Sequence, residues 1–245
     1  MSLQQPIYIF ADLDDSLFQT KRKCPTTGTL FTAAKDRYGM PLSYFTGEQK
    51  VLLTLLQQGT LIPVTGRNTA ALDRVQLSFT SYRITSHGAM VLDSNGKPDE
   101  EWLALIQAQC MQWRENLSAV LVLIEKHIVN ANLALRCRVI EDQGVSVYVS
   151  IKGEEGALQY LLATVWELWK AEGVQVHHNG ENMALLPPFA NKARAVAFLM
   201  QRLHDNGVSP LFMGIGDSLT DLPFLQLCHY AIIPRGSQIQ EMIGN

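Results

Sequence analysis

Acidic residues stand at two places that are far apart in the sequence but have similar surroundings. Asp12 and Asp14 follow one short apolar run, and Asp217 follows another, with Asp221 four residues later. Carboxylates gathered in one place repel each other unless a cation neutralises them. Because no His or Cys stands directly beside these acids, the candidate ligands are oxygen atoms, which favours a hard ion such as Mg²⁺. The sequence therefore predicts a magnesium site, provided that the fold brings the two places together.

The pattern around these acids predicts a parallel α/β sheet. Short apolar runs rich in branched and aromatic residues are typical of strands buried on both faces. They alternate with helical patterns, which predicts helices on both faces of the sheet and ligands at the carboxyl ends of the strands. The predicted strands are Ile7–Ala11, Leu61–Val64, Arg83–Ser86 and Leu211–Ile215, and the predicted helices are Glu48–Gln58, Thr69–Gln76 and one that begins after Asn191.

An alternative remains open for the acids, since Asp often serves only as a turn or helix-cap residue. Asp15 and Ser16 fit that alternative best.

The stretch Gln19–Gly47, which contains Pro, Gly and many Thr, is predicted to be a long loop or flap. The apolar residues predicted on the buried face of the helix that follows it are Val51, Leu52, Leu55 and Leu56.

The middle of the chain has a different pattern. A long helical stretch, Asp99–Asn130, is predicted to be interrupted near Asn116. A hairpin, an amphipathic helix and a second hairpin follow it. We therefore predict an α+β domain at 94–187, inserted into an α/β domain made of 1–93 and 188–245.

Composition and charge exclude several classes of protein. The chain has 245 residues, 47% of them hydrophobic, with a formal net charge of -3 and a pI of about 6.1. This balance argues against a nucleic-acid surface. Four cysteines without short paired spacing suit a reducing compartment, and no signal peptide or long apolar run is evident. We expect a cytoplasmic protein without a membrane partner, present as a monomer or a weak homodimer.

Four short motifs stand in order along the chain: Asp12-Leu13-Asp14-Asp15-Ser16-Leu17, Val64-Thr65-Gly66-Arg67, Asn191-Lys192 and Gly216-Asp217-Ser218-Leu219-Thr220-Asp221. Together they resemble the motifs of the haloacid dehalogenase superfamily of phosphatases. The inserted α+β domain resembles the C2 type of cap in that superfamily. The stretches Ser86-His87-Gly88-Ala89 and Met183–Lys192 resemble those of one subgroup, the sucrose-, trehalose- and mannosylglycerate-phosphate phosphatases with the related Cof-like enzymes.

The resemblance implies a Rossmann-like core and a mechanism. It implies that Asp12 is a nucleophile that forms an aspartyl-phosphate. Asp14 would protonate the leaving oxygen and then activate water, with a neighbouring carboxylate helping it to hold a proton. Mg²⁺ would be bound by Asp12, the backbone carbonyl of Asp14 and Asp217, with support from Asp221. The expected substrate is a small phosphorylated metabolite, and sugar phosphates are the leading candidate class.

Three further residues are predicted to bind the phosphate. The hydroxyl of Thr65 and the amide of Gly66 offer hydrogen-bond donors, although an ordinary strand-ending turn would look the same. Lys192 stands in the first turn of a predicted helix, where the helix dipole disfavours a cation. Neutralisation of the phosphate explains that placement, and a solvated lysine is the alternative.

Other cations are candidates for contact with the substrate. Arg67 could touch the substrate or pair with an acid. Arg136 and Arg138 share one face of a predicted strand, and with Lys152 they could bind hydroxyls or a second anion. His87 follows a predicted core strand and could reach the site, but we expect its role to be structural packing.

Two other functions use similar residues. A phosphomutase or phosphotransferase would pass the phosphoryl group to an acceptor other than water. A phosphoacceptor or binding module, such as a signalling receiver domain, also clusters Asp residues at strand ends, but it needs neither Asp14 as acid and base nor an inserted domain.

Overall fold

The protein folds as two compact units, for which we use a computed structural model that describes residues 5–169, 173–204 and 209–244. The core unit comprises Met1–Asp99 and Lys192–Asn245, and the inserted unit comprises Glu100–Asn191. None of the helices in these described ranges has the length and apolar content needed to cross a membrane.

Along the chain, the helices and strands belong first to the core unit, then to the inserted unit and then to the core unit again. The first core segment contains β1 (Ile7–Ala11), β2 (Gln19–Thr20), β3 (Phe31–Lys35), β4 (Pro41–Phe45), α1 (Gly47–Leu56), β5 (Thr60–Pro63), α2 (Thr69–Leu72), β6 (Arg83–Thr85) and β7 (Met90–Leu92). The inserted unit contains α3 (Glu100–Asn130), β8 (Leu135–Asp142), β9 (Val145–Gly153), α4 (Glu155–Trp169), β10 (Gln175–Asn179) and β11 (Asn182–Leu186). The second core segment contains α5 (Lys192–His204), β12 (Leu211–Ile215), α6 (Leu222–Leu225), β13 (Tyr230–Ile232) and α7 (Gln238–Gly244).

A parallel sheet forms the centre of the core unit, with the strand order β13–β12–β1–β5. Strand β1 lies between β12 and β5, and its residues Phe10 and Ala11 are fully buried. This explains why the strand is apolar on both faces. The carboxyl ends of β1, β5 and β12 lie at the same edge, as the sequence predicted.

The segment after β1 is not the loop that we predicted. Strands β2, β4 and β3 form an antiparallel sheet in that order. Its tightest turn is closed by Asp36, whose carboxylate accepts the N–H groups of Tyr38 and Met40 at 2.8 and 2.9 Å. Ala33 and Ala34 are fully buried. We call residues 19–45, which contain these three strands, the flap sheet.

The inserted unit is α+β, as predicted. Its antiparallel sheet has the order β10–β11–β9–β8, and both α3 and α4 contact this sheet. The β8–β9 turn is made by Gln143 and Gly144, which both have positive φ, the geometry of a tight hairpin. Helix α3 is continuous, so the predicted interruption near Asn116 is wrong.

Candidate active site

Four charged side chains of the core unit meet at the carboxyl edge of the parallel sheet. Asp12 directly follows β1, Asp217 lies just beyond β12, and Asp221 precedes α6. Lys192 is the first residue of α5, as predicted. The N–H of Asp12 donates to the carbonyl of Ile215 at 2.8 Å, which holds the ends of the two neighbouring strands together. The two acidic places in the sequence are therefore one place in the fold.

Lys192 lies between two of the carboxylates. Its Nζ is 2.6 Å from Oδ1 of Asp12 and 2.6 Å from Oδ1 of Asp221. Only 5% of the Lys192 side chain is exposed, and Asp221 is fully buried. Carboxylate oxygens of Asp12, Asp217 and Asp221 lie within 4.8 Å of one another. Lys192 is thus a buried member of the cluster and not a solvated helix-start residue.

Burial and charge set the protonation of this cluster. Burial, together with the nearby carboxylates, raises the pKa of Asp12 well above its usual value, although Lys192 opposes this. Burial and the charge of Asp221 raise the pKa of Asp217 to about 7. Burial acts on Asp221 too, but Lys192 outweighs it and lowers the pKa of Asp221. Burial alone would lower the pKa of Lys192, and the charges of Asp12 and Asp221 raise it instead.

Two serines hold the carboxylates in place, and neither was predicted from the sequence to do so. Ser16, which follows the first acidic run, donates from Oγ to Oδ1 of Asp217 at 3.1 Å. Ser218 donates from Oγ and N to Oδ2 of Asp221, at 2.7 and 3.1 Å. Ser16 is therefore more than a turn residue. A hydroxyl within each acidic motif was the signal that could have identified them.

The cluster fits a hard divalent cation. When all three carboxylates are ionised, as they would be with a cation bound, they and the one ammonium group leave two negative charges in excess. Oδ2 of Asp12 and Oδ2 of Asp217 accept no hydrogen bond from any residue in the described part of the chain. Oδ2 of Asp217 and the second lone pair of Oδ1 of Asp12, beside the bond from Lys192, are thus available to a cation, and an anionic, oxygen-only site matches the preference of Mg²⁺. By contrast, Asp221 already accepts bonds on both oxygens.

Thr65 and Gly66 lie at the same edge, one residue beyond β5. Thr65 is buried, and its Oγ1 accepts the N–H of Arg67 at 3.1 Å, which leaves the hydroxyl proton available to donate. The ring of His87 packs against Gly66 so closely that a Cβ at Gly66 would lie 2.5 Å from Cε1 of that ring. His87 itself has a positive φ of 57°. The expected packing role of His87 is thus contact with the Thr65–Gly66 loop.

Arg67 pairs with Asp14, which resolves one of the alternatives that the sequence left open. Its Nε and one Nη each lie 2.7 Å from a different carboxylate oxygen of Asp14. Burial would lower the pKa of Arg67, but the charge of Asp14 outweighs it and raises that pKa. We expected a neighbouring carboxylate to help Asp14 hold a proton, and the structure gives Asp14 a guanidinium partner instead.

The remaining candidates lie outside this cluster. Asp15 has φ of 65° and pairs with Lys23 at 2.6 Å near the surface, which suits a turn residue. In the inserted unit, Arg136 and Arg138 are exposed on one face of β8, as predicted from the strand period. Lys152 of β9 is also exposed and lies opposite Arg136 in the sheet register. Contact of these three residues with a substrate stays a prediction.

No protein-family model matches the chain, and no curated protein matches it. Solved structures do match. Sucrose-phosphatase from Synechocystis sp., determined with sucrose and phosphate, is 18% identical, with a TM-score of 0.57 over 99% of this chain and 87% of that one. The C-terminal domain of C. albicans trehalose-6-phosphate phosphatase is 15% identical, with a TM-score of 0.60 over 91% and 73%. A haloacid dehalogenase-like hydrolase from B. subtilis is 15% identical, with a TM-score of 0.52 over 95% and 90%.

The chain has the haloacid dehalogenase-like hydrolase fold. This confirms the predicted Rossmann-like core with an inserted α+β domain. Within that fold, the cluster described above is built only from residues of the core unit, at the edge where an open parallel sheet binds its ligands.

Proposed function

We propose that this protein is a magnesium-dependent phosphomonoester hydrolase that acts on a small metabolite, with sugar phosphates as the leading class. The observation that carries the proposal is the buried cluster of Asp12, Lys192, Asp217 and Asp221 at the carboxyl edge of the sheet. The structural similarity to sucrose-phosphatase and to trehalose-6-phosphate phosphatase supports both the reaction and the substrate class.

Asp12 is the proposed nucleophile. Lys192 binds its Oδ1 and so orients the carboxylate, while Oδ2 accepts no hydrogen bond from the described residues and is available for attack. Oδ2 would form a bond to phosphorus as the bond from phosphorus to the substrate oxygen breaks, which gives an aspartyl-phosphate. Bound Mg²⁺, held by Asp12, Asp217 and the backbone carbonyl of Asp14, would reduce the repulsion between the anionic nucleophile and the anionic phosphate.

Other residues of the edge would bind the phosphate and move protons. The Thr65 hydroxyl and the Gly66 amide would donate hydrogen bonds to the phosphoryl oxygens. The positive charge of Lys192 would offset the negative charge of those oxygens. Asp14 would give a proton to the departing substrate oxygen and later accept one from the water that hydrolyses the intermediate. Asp221, which is fully buried beside Lys192, would support the metal site indirectly.

The substrate would be chosen by parts of the protein outside this cluster. We propose that the exposed cations Arg136, Arg138 and Lys152 contribute to recognition of a sugar phosphate. A small-molecule substrate in the cytoplasm, without a nucleic-acid or membrane partner, fits the composition. A monomer or weak homodimer is our expectation for the oligomeric state.

The proposal is tested by hydrolysis of p-nitrophenyl phosphate with and without Mg²⁺. We expect turnover that EDTA abolishes and that Asp12→Asn reduces by at least roughly a thousandfold. The matched control is Asp15→Asn, the same change in a surface turn residue whose left-handed backbone Asn tolerates. Wild-type inactivity towards a broad panel of phosphomonoesters, or full activity of Asp12→Asn, would contradict the proposal.

A second assay separates hydrolysis from phosphoryl transfer. Products are analysed with a labelled phosphomonoester, with and without sugars as acceptors. We expect inorganic phosphate as the product in both cases. A new sugar phosphate that forms at the expense of inorganic phosphate would make the protein a phosphotransferase or mutase.

A further inference from the structure

The carboxylate of Asp14 is held by a side chain that is much more buried than itself. Of the Arg67 side chain 12% is exposed, against 43% for Asp14. Both contacts are 2.7 Å long and join two nitrogens to two oxygens, which is the bidentate geometry that fixes a carboxylate in orientation as well as in position. Asp14 is thus a solvent-accessible carboxylate that is held in place by a buried guanidinium group.

Arg67 is itself fixed by three neighbours. The nitrogen Nη2 that binds Asp14 also donates to Oγ of Ser43 at 3.3 Å. The guanidinium lies 5.2 Å from the ring centre of Phe18, within reach of a cation–π interaction. Its backbone N–H donates to Oγ1 of Thr65. Since Ser43 belongs to β4 of the flap sheet, the flap sheet and the Thr65 loop both determine where the guanidinium lies.

We propose that Arg67 is a positioning residue that acts on the substrate only through Asp14, and that Ser43 links the flap sheet to this pair. The inference rests on the proposed function and deepens it. The flap sheet would then contribute to catalysis, because a shift of the flap sheet would also shift the carboxylate of Asp14, the group that transfers protons.

The rival interpretation is that Arg67 binds the substrate phosphate. Two of its three guanidinium nitrogens are already used by Asp14, and one of these also by Ser43. Binding a phosphate in the same bidentate way would require Arg67 to release Asp14. The two interpretations therefore predict different coupling between Arg67 and Asp14.

The test compares two substrates with different needs for a proton. p-Nitrophenolate departs without protonation, whereas the alkoxide of an alkyl phosphate such as glucose 6-phosphate needs a proton from Asp14. For Arg67→Met we expect kcat/KM on the alkyl phosphate to fall roughly 10- to 100-fold, within the range that general acid–base catalysis contributes. We expect kcat/KM on p-nitrophenyl phosphate, which reports formation of the aspartyl-phosphate and needs no proton from Asp14, to change by less than about threefold. We expect kcat to fall on both substrates, because Asp14 also accepts a proton from the water that hydrolyses the shared intermediate.

Three further variants make the test specific. In an Asp14→Asn background, Arg67→Met should have no additional effect, since the interaction that it removes is already lost. Arg67→Lys should restore activity only in part, because an ammonium group cannot bind a carboxylate in the bidentate way. Ser43→Ala should produce a smaller loss with the same selectivity for the alkyl phosphate.

Multiplicative effects of Arg67→Met and Asp14→Asn, or a rise in KM on both substrates, would overturn the inference and favour contact with the phosphate. Equal losses of kcat/KM on the two substrates would also overturn it. These outcomes differ from failure of the proposed function, in which the wild-type protein would be inactive or Asp12→Asn would remain active.

Discussion

Lys192→Met removes the ammonium group that lies 2.6 Å from two buried carboxylates. Met has a similar length and shape, so the change deletes the charge and leaves most of the packing. Without Lys192, the carboxylates of Asp12 and Asp221 are buried without a compensating charge. Removal of one partner from a buried ion pair typically costs about 3–5 kcal/mol. Because Lys192 has two such partners, we expect a loss of unfolding free energy of at least about 3 kcal/mol in EDTA.

Urea unfolding, followed by circular dichroism, measures this loss. The matched control is Lys126→Met on the exposed surface of α3, where we expect a change within about 0.5 kcal/mol. Saturating Mg²⁺ should reduce the difference between Lys192→Met and wild type, since a divalent cation neutralises the same carboxylates. Wild-type stability of Lys192→Met in EDTA would refute the claim that Lys192 balances the buried charge.

Three other perturbations test the same edge. In EDTA, Asp217 holds its proton in the folded protein up to about pH 7 but in the unfolded chain only to about pH 4, so its contribution to unfolding free energy falls as pH rises between these values. Urea unfolding should show a steeper loss of stability over that range for wild type than for Asp217→Asn. Ser16→Ala removes the hydrogen bond to Asp217, and calorimetry should show Mg²⁺ binding weakened roughly 10- to 100-fold. Gly66→Ala places a Cβ against the His87 ring, and thermal unfolding should show a loss of about 1–3 kcal/mol that His87→Gly partly restores.

The positions of the main site residues were predictable from sequence. Asp12, Thr65 and Asp217 each follow a short apolar run, and the ends of neighbouring parallel strands must lie at one edge. Lys192 was predictable because a cation in the first turn of a helix needs a local reason. These inferences depend on local pattern and on the topology that such patterns permit, so they hold without knowledge of side-chain packing.

The contacts around Arg67 were not predictable in the same way. Its partners Asp14 and Ser43 are 53 and 24 residues away in sequence, and the flap sheet that carries Ser43 looked like a loop. Small apolar residues such as Ala33 and Ala34 give a weak strand signal, and the turn between β3 and β4 depends on the side chain of Asp36. The pairing thus follows from tertiary structure alone.

Helix α1 shows a second limit of pattern. We predicted that Val51 and Leu55 are buried, but they are 64% and 66% exposed, whereas Leu53 and Leu56 are buried. Apolar residues occupy most of the positions from 51 to 56, so the helical period is compatible with more than one buried face. For α3, Asn116 is exposed on the helix surface, where it costs only about 0.7 kcal/mol or less and does not break the helix.

The most direct test of the account is to detect a phosphoryl group on Asp12. The protein is mixed with Mg²⁺ and a radiolabelled phosphomonoester, quenched in acid within the first turnover and digested, and the labelled peptide is identified. We predict a label that hydroxylamine removes, on the peptide that contains Asp12, and no label in Asp12→Asn. Substrate turnover without a labelled peptide, or a label that persists in Asp12→Asn, would contradict the assignment of Asp12 as the nucleophile.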